Sequence, residues 1–271
     1  MICYALSSRI RIRIQILAKK RIGKETRKLG KKKVEKYLEN FENILSIKDI
    51  TVIRNGIKTL SKIDLDFKKG DITCILGHKG AGKTTLIETI IGIFEPDSGS
   101  IVYQGQDIAD SRYKNFSYCS SHGDDSLYNS FTVYEYLCYL ALLKGIKKPE
   151  NDIKILISEF KIEHLINQKI EFLSPINKKI VSLTSCLIGD PTVLFLDEPC
   201  KGIELKNRAK IWTLIRSFRK FSRLVIISCH NVEEAKEISD DIIVMHMGSI
   251  DVRGEVEEIK RYYGMGYKFE I

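Results

Sequence analysis

"DITCILGHKGAGKTTLIETIIGIF", Asp71 to Phe94, is the stretch on which the fold turns. Its first third is a short apolar run ending in glycine, the pattern of a strand buried on both faces of a parallel sheet. The middle, Gly77-x-x-x-x-Gly82-Lys83-Thr84, has the spacing of a phosphate-binding loop, with a strand before it and a helix after it. Glycines there let the backbone curl so that successive N–H groups face phosphate oxygens, and the helix N-terminus adds partial positive charge. Gly77, His78, Lys79, Gly80, Ala81, Gly82, Lys83, Thr84 and Thr85 form the expected cradle. Lys83 supplies an ammonium for the β- and γ-phosphates of a nucleotide, and the Thr84 hydroxyl is suited to Mg²⁺.

Outward from the cradle, the chain alternates strands and helices. "LSIKDITVI" and "LSKIDLDF" read as two strands joined by a turn at Asn55-Gly56. "KTTLIETIIGIF" reads as a helix closed by "PDSG", and residues from about Thr132 to Gly189 are mostly helical by pattern. "TVLFLDEP" and "RLVIISCH" are buried strands, and "NVEEAKEIS" is a helix leading to "DIIVMHMG". The predicted architecture is a parallel sheet carrying a helical subdomain at about residues 125–188.

A second constellation follows from "LFLDEP". Four apolar residues, Val193 to Leu196, push Asp197 and Glu198 to the end of a buried strand, Asp197 to hold Mg²⁺ through water and Glu198 to orient or deprotonate the attacking water. His230 ends the next strand, in position to bond the γ-phosphate.

These motifs in this order resemble the nucleotide-binding domain of an ABC transporter, over about Leu45 to Ile271. "FTVYEYLCYLALLKG", "NKKIVSLTSCLIGDP", "RAKIW" and "GMGYKFEI" are most similar to the A subfamily, associated with lipid and sterol movement. The resemblance implies an α/β P-loop NTPase with a RecA-like parallel core, an inserted helical subdomain and an N-terminal antiparallel β portion. It also implies ATP and Mg²⁺ as cofactors, ATP hydrolysis, a second nucleotide-binding domain and membrane-spanning domains as partners, and a place on the cytoplasmic face of a membrane.

The chain departs from that pattern in four places. Where the LSGGQ-type signature belongs stands "LSPIN", Leu173 to Asn177. Ser174 and Asn177 align, but Pro175 has no N–H and Ile176 brings a branched side chain where glycines allow close approach to the partner's γ-phosphate. Ser174-Pro175 still makes a good helix start. The Q-loop glutamine is replaced by Ser121 or Gly123. The aromatic that stacks on adenine is missing near Ile53 or Arg54, where the Arg54 guanidinium offers a partial substitute. Glu204 stands where the D-loop aspartate belongs. A competent cradle with a poor contribution across the interface implies one half of an asymmetric pair.

Composition narrows the remaining classes. Residues 1–40 hold 13 Lys/Arg against 3 Asp/Glu, and the rest of the chain 31 against 32. A basic extension, residues 1–43, therefore precedes a near-neutral domain, residues 44–271. Within it Arg9, Arg11 and Arg13 alternate with isoleucines, and Lys31 to Lys33 continue a charge-dense run. It reads either as a solvated, partly helical leader or as an attraction to anionic lipid by residues 9–36, or to nucleic acid. An ATPase acting on nucleic acid or ribosomes is the alternative, disfavoured because such proteins join two domains of this kind in one chain; a non-hydrolysing nucleotide-binding regulator is the other. The seven cysteines form no C-x-x-C pair and fit a reducing compartment. No run reaches the roughly 18 apolar residues of a membrane span.

Overall fold

The computed structural model describes residues 43–108, 115–121, 127–219 and 223–263. The basic extension before residue 43, Gly123 and the closing "GMGYKFEI" lie outside the described residues.

The run ahead of the cradle is strand β3, Ile72–Leu76, with all five residues buried. It pairs in parallel with β8, Leu224–Cys229, on one side and β9, Asp241–His246, on the other. β7, Val193–Asp197, and β6, Phe116–Cys119, extend the parallel ladder, while β10, Ser249–Glu255, closes the opposite edge antiparallel to β9. Sheet order is β10-β9-β3-β8-β7-β6. Strands buried on both faces need continuous apolar sequence, which "ITCIL", "VLFLD" and "LVIISC" supply.

A second sheet is antiparallel, ordered β2-β1-β4-β5, from β1, Asn43–Arg54, β2, Ile57–Lys68, β4, Ser98–Tyr103, and the two-residue β5, Gln106–Asp107. Asn55 (φ 50°) and Gly56 (φ 76°) both lie in the left-handed region, the geometry of a type I′ turn between β1 and β2. Beyond Lys62 (φ 49°) the inward residues of β2 alternate strictly as Ile63, Leu65 and Phe67.

Helix α1, Lys83–Ile91, is packed between the two sheets. Its Leu86, Ile87 and Ile90 join Ile47, Leu60 and Phe67 of one sheet and Ile75 and Phe195 of the other in one cluster. The helix stops three residues short of the expected Phe94, because Gly92 adopts φ 85° and caps it. The other face of the parallel sheet is covered by α4, Pro175–Ser185, and α5, Leu205–Ser217, whose Leu183, Ile211 and Ile215 pack on Leu194, Val225 and Ile227.

The helical portion comprises α2, Val133–Leu143, α3, Glu150–Phe160, 3₁₀ turns at Glu163–Leu165 and Ile170–Phe172, and α4. Val133, Leu137, Ile153, Ile157 and Val181 share its separate core. α2 starts at a capping box in which the Thr132 side chain accepts from Glu135 N–H while the Glu135 carboxylate accepts from Thr132 N–H. α6, Val232–Ile238, follows β8, and α7, Val256–Tyr263, follows β10.

One glycine ties the cradle to both sheets. Gly248, in the turn from β9 to β10, donates to the Ala81 carbonyl (3.0 Å) and accepts from Ser61 N–H (2.8 Å). Its φ is 77°, and a Cβ there would lie 2.3 Å from the Thr59 carbonyl oxygen. Gly248→Ala should therefore lower unfolding free energy by about 2 kcal/mol or more, since a left-handed strain and a backbone clash add. A urea midpoint equal to the parent's would refute this role.

Candidate functional site: a phosphate cradle and the acids beside it

The cradle curls because its glycines adopt left-handed conformations, φ 87° at Gly80 and 99° at Gly82. Gly77 is required for space: a Cβ there would meet the Met245 carbonyl oxygen at 2.5 Å. Ala81 N–H bonds the His78 carbonyl (3.1 Å), which closes the turn, and Gly82 serves as N-cap of α1. Lys79, Gly80, Gly82, Lys83, Thr84 and Thr85 line a cleft of about 580 Å³.

Lys83 is only 4% exposed, and its ammonium donates to the carbonyls of Gly77 (2.7 Å) and His78 (2.9 Å). Burial pushes its pKa below the usual lysine range, with the Glu198 and Asp197 carboxylates pulling the other way. Asp197, at the end of β7, is 1% exposed. A buried carboxylate needs donors, and two hydroxyls provide them: Thr84 Oγ1 at 3.0 Å, and Ser228 Oγ from β8. Thr84 and Asp197 thus place two hard oxygen ligands side by side at the cradle's floor, the donor chemistry that Mg²⁺ takes alongside phosphate and water.

Glu198 follows with φ 47°. Its N–H bonds the Ser228 carbonyl (3.2 Å) and hydroxyl (3.0 Å), which turns its side chain toward the cleft. One Glu198 oxygen faces His230 Nε2, and the other lies 3.7 Å from Lys201 Nζ. His230 Nε2 faces a carboxylate and so carries the ring hydrogen, which leaves Nδ1 to accept from the Lys83 ammonium at 3.1 Å. The Gly77 carbonyl, 2.9 Å from that nitrogen, accepts from Lys83 instead. Five side chains from two elements and two loops therefore converge: Lys83 and Thr84 on α1, Asp197 at the end of β7, Glu198 just beyond it, and His230 just beyond β8.

Other expected residues fall in different places. Ser121 lines the cleft. Ser174 caps α4, its side chain accepting from Asn177 N–H at 3.4 Å, with Pro175 at the first turn; Ile176 is half-buried against the core under α4. Glu204 precedes α5 and pairs with exposed Lys206 (2.8 Å). Arg54 does not serve as a base platform: its guanidinium sits 3.3 Å over the Phe94 ring, with Nη2 3.8 Å from Glu88, and it does not line the cleft. Ser228 and Gly248 escape sequence reasoning. Ser228 has one signal, its position two residues before His230, near the end of β8.

Comparison with known proteins places this architecture. The ABC transporter family profile matches residues 60–201. The chain belongs to the ABC transporter family and is an ATP-binding domain of that family's A-like members. It is 34% identical over 80% of its length to the phospholipid-transporting ATPase ABCA3 of Mus musculus, and 29% identical over 78% to the retinal-specific phospholipid-transporting ATPase ABCA4 of Homo sapiens. The chain spans 13% and 9% of those relatives' lengths. Among solved structures it is similar to cbiO1 of Clostridium perfringens, part of the ABC transporter complex cbiONQ, with TM-score 0.73, 27% identity and coverage of 81% of this chain and 91% of that one. The ADP-bound ATP-binding cassette MJ1267 shares the fold, with TM-score 0.70 at 22% identity, over 82% of this chain and 95% of that one. No helix among the described residues is long and apolar enough to cross a membrane.

The buried ammonium of Lys83 has two backbone carbonyls and the His230 ring in place of a phosphate. Lys83→Ala should weaken ATP binding by about 1.5–3 kcal/mol, the range of a charge-assisted contact. Equal affinities for mutant and parent in calorimetry would remove Lys83 from the cradle.

Proposed function

We propose that this chain binds and hydrolyses Mg-ATP to drive movement of a lipid-like substrate by membrane-spanning domains, and that it does so paired with a second nucleotide-binding domain. The convergence of Lys83, Thr84, Asp197, Glu198 and His230 on one cleft carries the reading. The lipid-like substrate is inferred from the phospholipid-transporting relatives, and the site of action is the cytoplasmic face of a membrane.

In this reading the cradle N–H groups and Lys83 bind the phosphates and hold the terminal one at the open side of the cleft. Thr84 and Asp197 hold Mg²⁺, which when bound neutralises phosphate charge. Glu198 orients water and accepts its proton on the carboxylate. His230 donates from Nε2 to fix the Glu198 rotamer while its other nitrogen accepts from Lys83. Ser228 sets both acids, through Asp197's carboxylate and Glu198's N–H.

The partner requirement rests on "LSPIN". Ser174 Oγ already accepts from Asn177 N–H, and Pro175 contributes no donor. The N-terminus of α4 is therefore a self-contained helix start, with a donor fewer for a phosphate on another subunit. The site using this chain's own cradle depends on a partner's signature, and the defect falls on the partner's cradle. In a self-paired protein, both sites carry the defect.

Glu198→Gln should leave ATP bound while turnover by the chain with an intact-signature partner falls by roughly 10²-fold or more. Equal steady-state rates would dismiss Glu198 as the base. Changing Pro175 and Ile176 together to glycine should raise turnover of the self-paired chain by about tenfold or more, because one missing preorganised donor costs on the order of 10²–10³ in rate. Brisk hydrolysis by the unmodified, self-paired chain would overturn the asymmetric reading.

A further inference from the structure

Two of the seven cysteines meet inside the parallel sheet. Cys74 on β3 and Cys229 at the end of β8 bring their sulfurs to 2.8 Å, although they stand 155 positions apart in sequence. The register explains the meeting. Cys74 pairs with Ile227 and Leu76 with Cys229, so the two cysteines are diagonal neighbours on one face of adjoining strands. Their surroundings on that face are apolar: Leu76, Ala235 and Ile242. Among the described residues no group of three or more His, Cys, Asp or Glu is placed to hold a metal ion, so the pair is not half of a thiolate metal site.

The two thiols differ in access. Cys229 lines an open cavity of about 680 Å³ between the loop after β7 and the start of α6, which Cys200 also borders. Cys74 lies behind it, and burial together with the adjoining Cys229 thiol pushes its pKa well up. Cys200 is pushed up too, by burial and the Glu234 carboxylate. A small oxidant in the cavity thus has a route to Cys229, and a partner thiol is already in contact with that sulfur.

The nucleotide site begins at the next residues. Gly77 N–H bonds the Cys229 carbonyl (3.4 Å), and His230 accepts from Lys83 and donates to Glu198. Cys74 leads into Gly77 through Ile75 and Leu76. A covalent bond between the sulfurs joins the strand that opens the cradle to the strand that ends at His230.

We infer that Cys74 and Cys229 are a modification site, a dithiol that hydrogen peroxide converts to a disulfide, and that the disulfide weakens nucleotide binding at the cradle. The inference rests on the nucleotide reading above and adds a regulation to it. Peroxide transfers one oxygen to the Cys229 sulfur, giving a sulfenic acid and water. The Cys74 sulfur then attacks the Cys229 sulfur, and the departing hydroxide leaves as water with the Cys74 proton. In sum, two thiols lose two electrons and two protons, and one peroxide becomes two waters. Closing the bond draws the sulfurs together by roughly 0.8 Å, to about 2.05 Å. The Lys83 ammonium is held between Gly77 and His230 at hydrogen-bond distances, so a shift of that size between them spoils its aim at a phosphate. In a reducing compartment such a bond is transient, as sensing requires.

Mass spectrometry of the proteolysed chain and calorimetry with Mg-ATP, before and after peroxide treatment, test it. The expected result is a peptide pair linked through Cys74 and Cys229, with ATP affinity lowered tenfold or more and restored by dithiothreitol. Cys74→Ala and Cys229→Ala, each a small apolar exchange in an apolar cluster, should bind ATP within threefold of the reduced parent and keep that affinity in peroxide. Met247, exposed at the cleft, is open to oxidation in parent and variants alike, so a loss of affinity in the variants overturns the disulfide as its cause. Absence of the linked pair overturns the site, and a linked chain with unchanged affinity overturns the regulation. No ATP binding by the reduced parent overturns the nucleotide reading, and the regulation falls with it.

Discussion

The buried carboxylate of Asp197 is the constraint around which the rest of the molecule is arranged. A charge this deep is tolerated only where donors are supplied, and the donors come from two other elements, Thr84 on α1 and Ser228 on β8. To bring them within reach, β7 and β8 must pair in register, with Asp197 opposite Ser228, and α1 must leave the cradle at one particular angle. The parallel ladder does the first. The second follows from sandwiching α1 between two sheets, each contributing apolar side chains to one cluster. The polar site and the apolar core are thus two descriptions of one set of placements.

The same separation of backbone demands from chemical demands explains how "LSPIN" is accommodated. A helix N-terminus needs a cap and tolerates proline in its first turn; Ser174 and Pro175 meet both conditions. Ile176 finds packing against the core under α4. Nothing in the folding of α4 calls for a glycine at either position.

How far the sequence could be read tracks the range over which each feature is decided. The cradle, the buried strands and the acid pair at Asp197 and Glu198 are local patterns, each a run of apolar residues or glycines whose backbone consequence follows within a few positions. β6 was not foreseen: four residues with mixed burial carry too short a pattern, and its strand character comes from pairing with β7. Ser228 reads as an interruption in an apolar strand until Asp197 is seen opposite it. The expectation for Arg54 fails because Phe94 and Glu88, about forty and thirty-four residues away in sequence, hold its guanidinium, and it does not line the cleft. Met247 reads as an ordinary apolar residue, and only its φ and exposure mark it as unusual.

Glu198 occupies the left-handed region, with its N–H held by Ser228. Glycine and asparagine adopt that conformation more readily than glutamate does. Replacement of the acid by either residue relieves the backbone while abolishing its chemistry, so selection for a well-folded chain and selection for a working one oppose each other at this position. What holds the acid against that backbone preference is its own set of contacts, to His230, to Lys201 and to the field around the buried Lys83 ammonium.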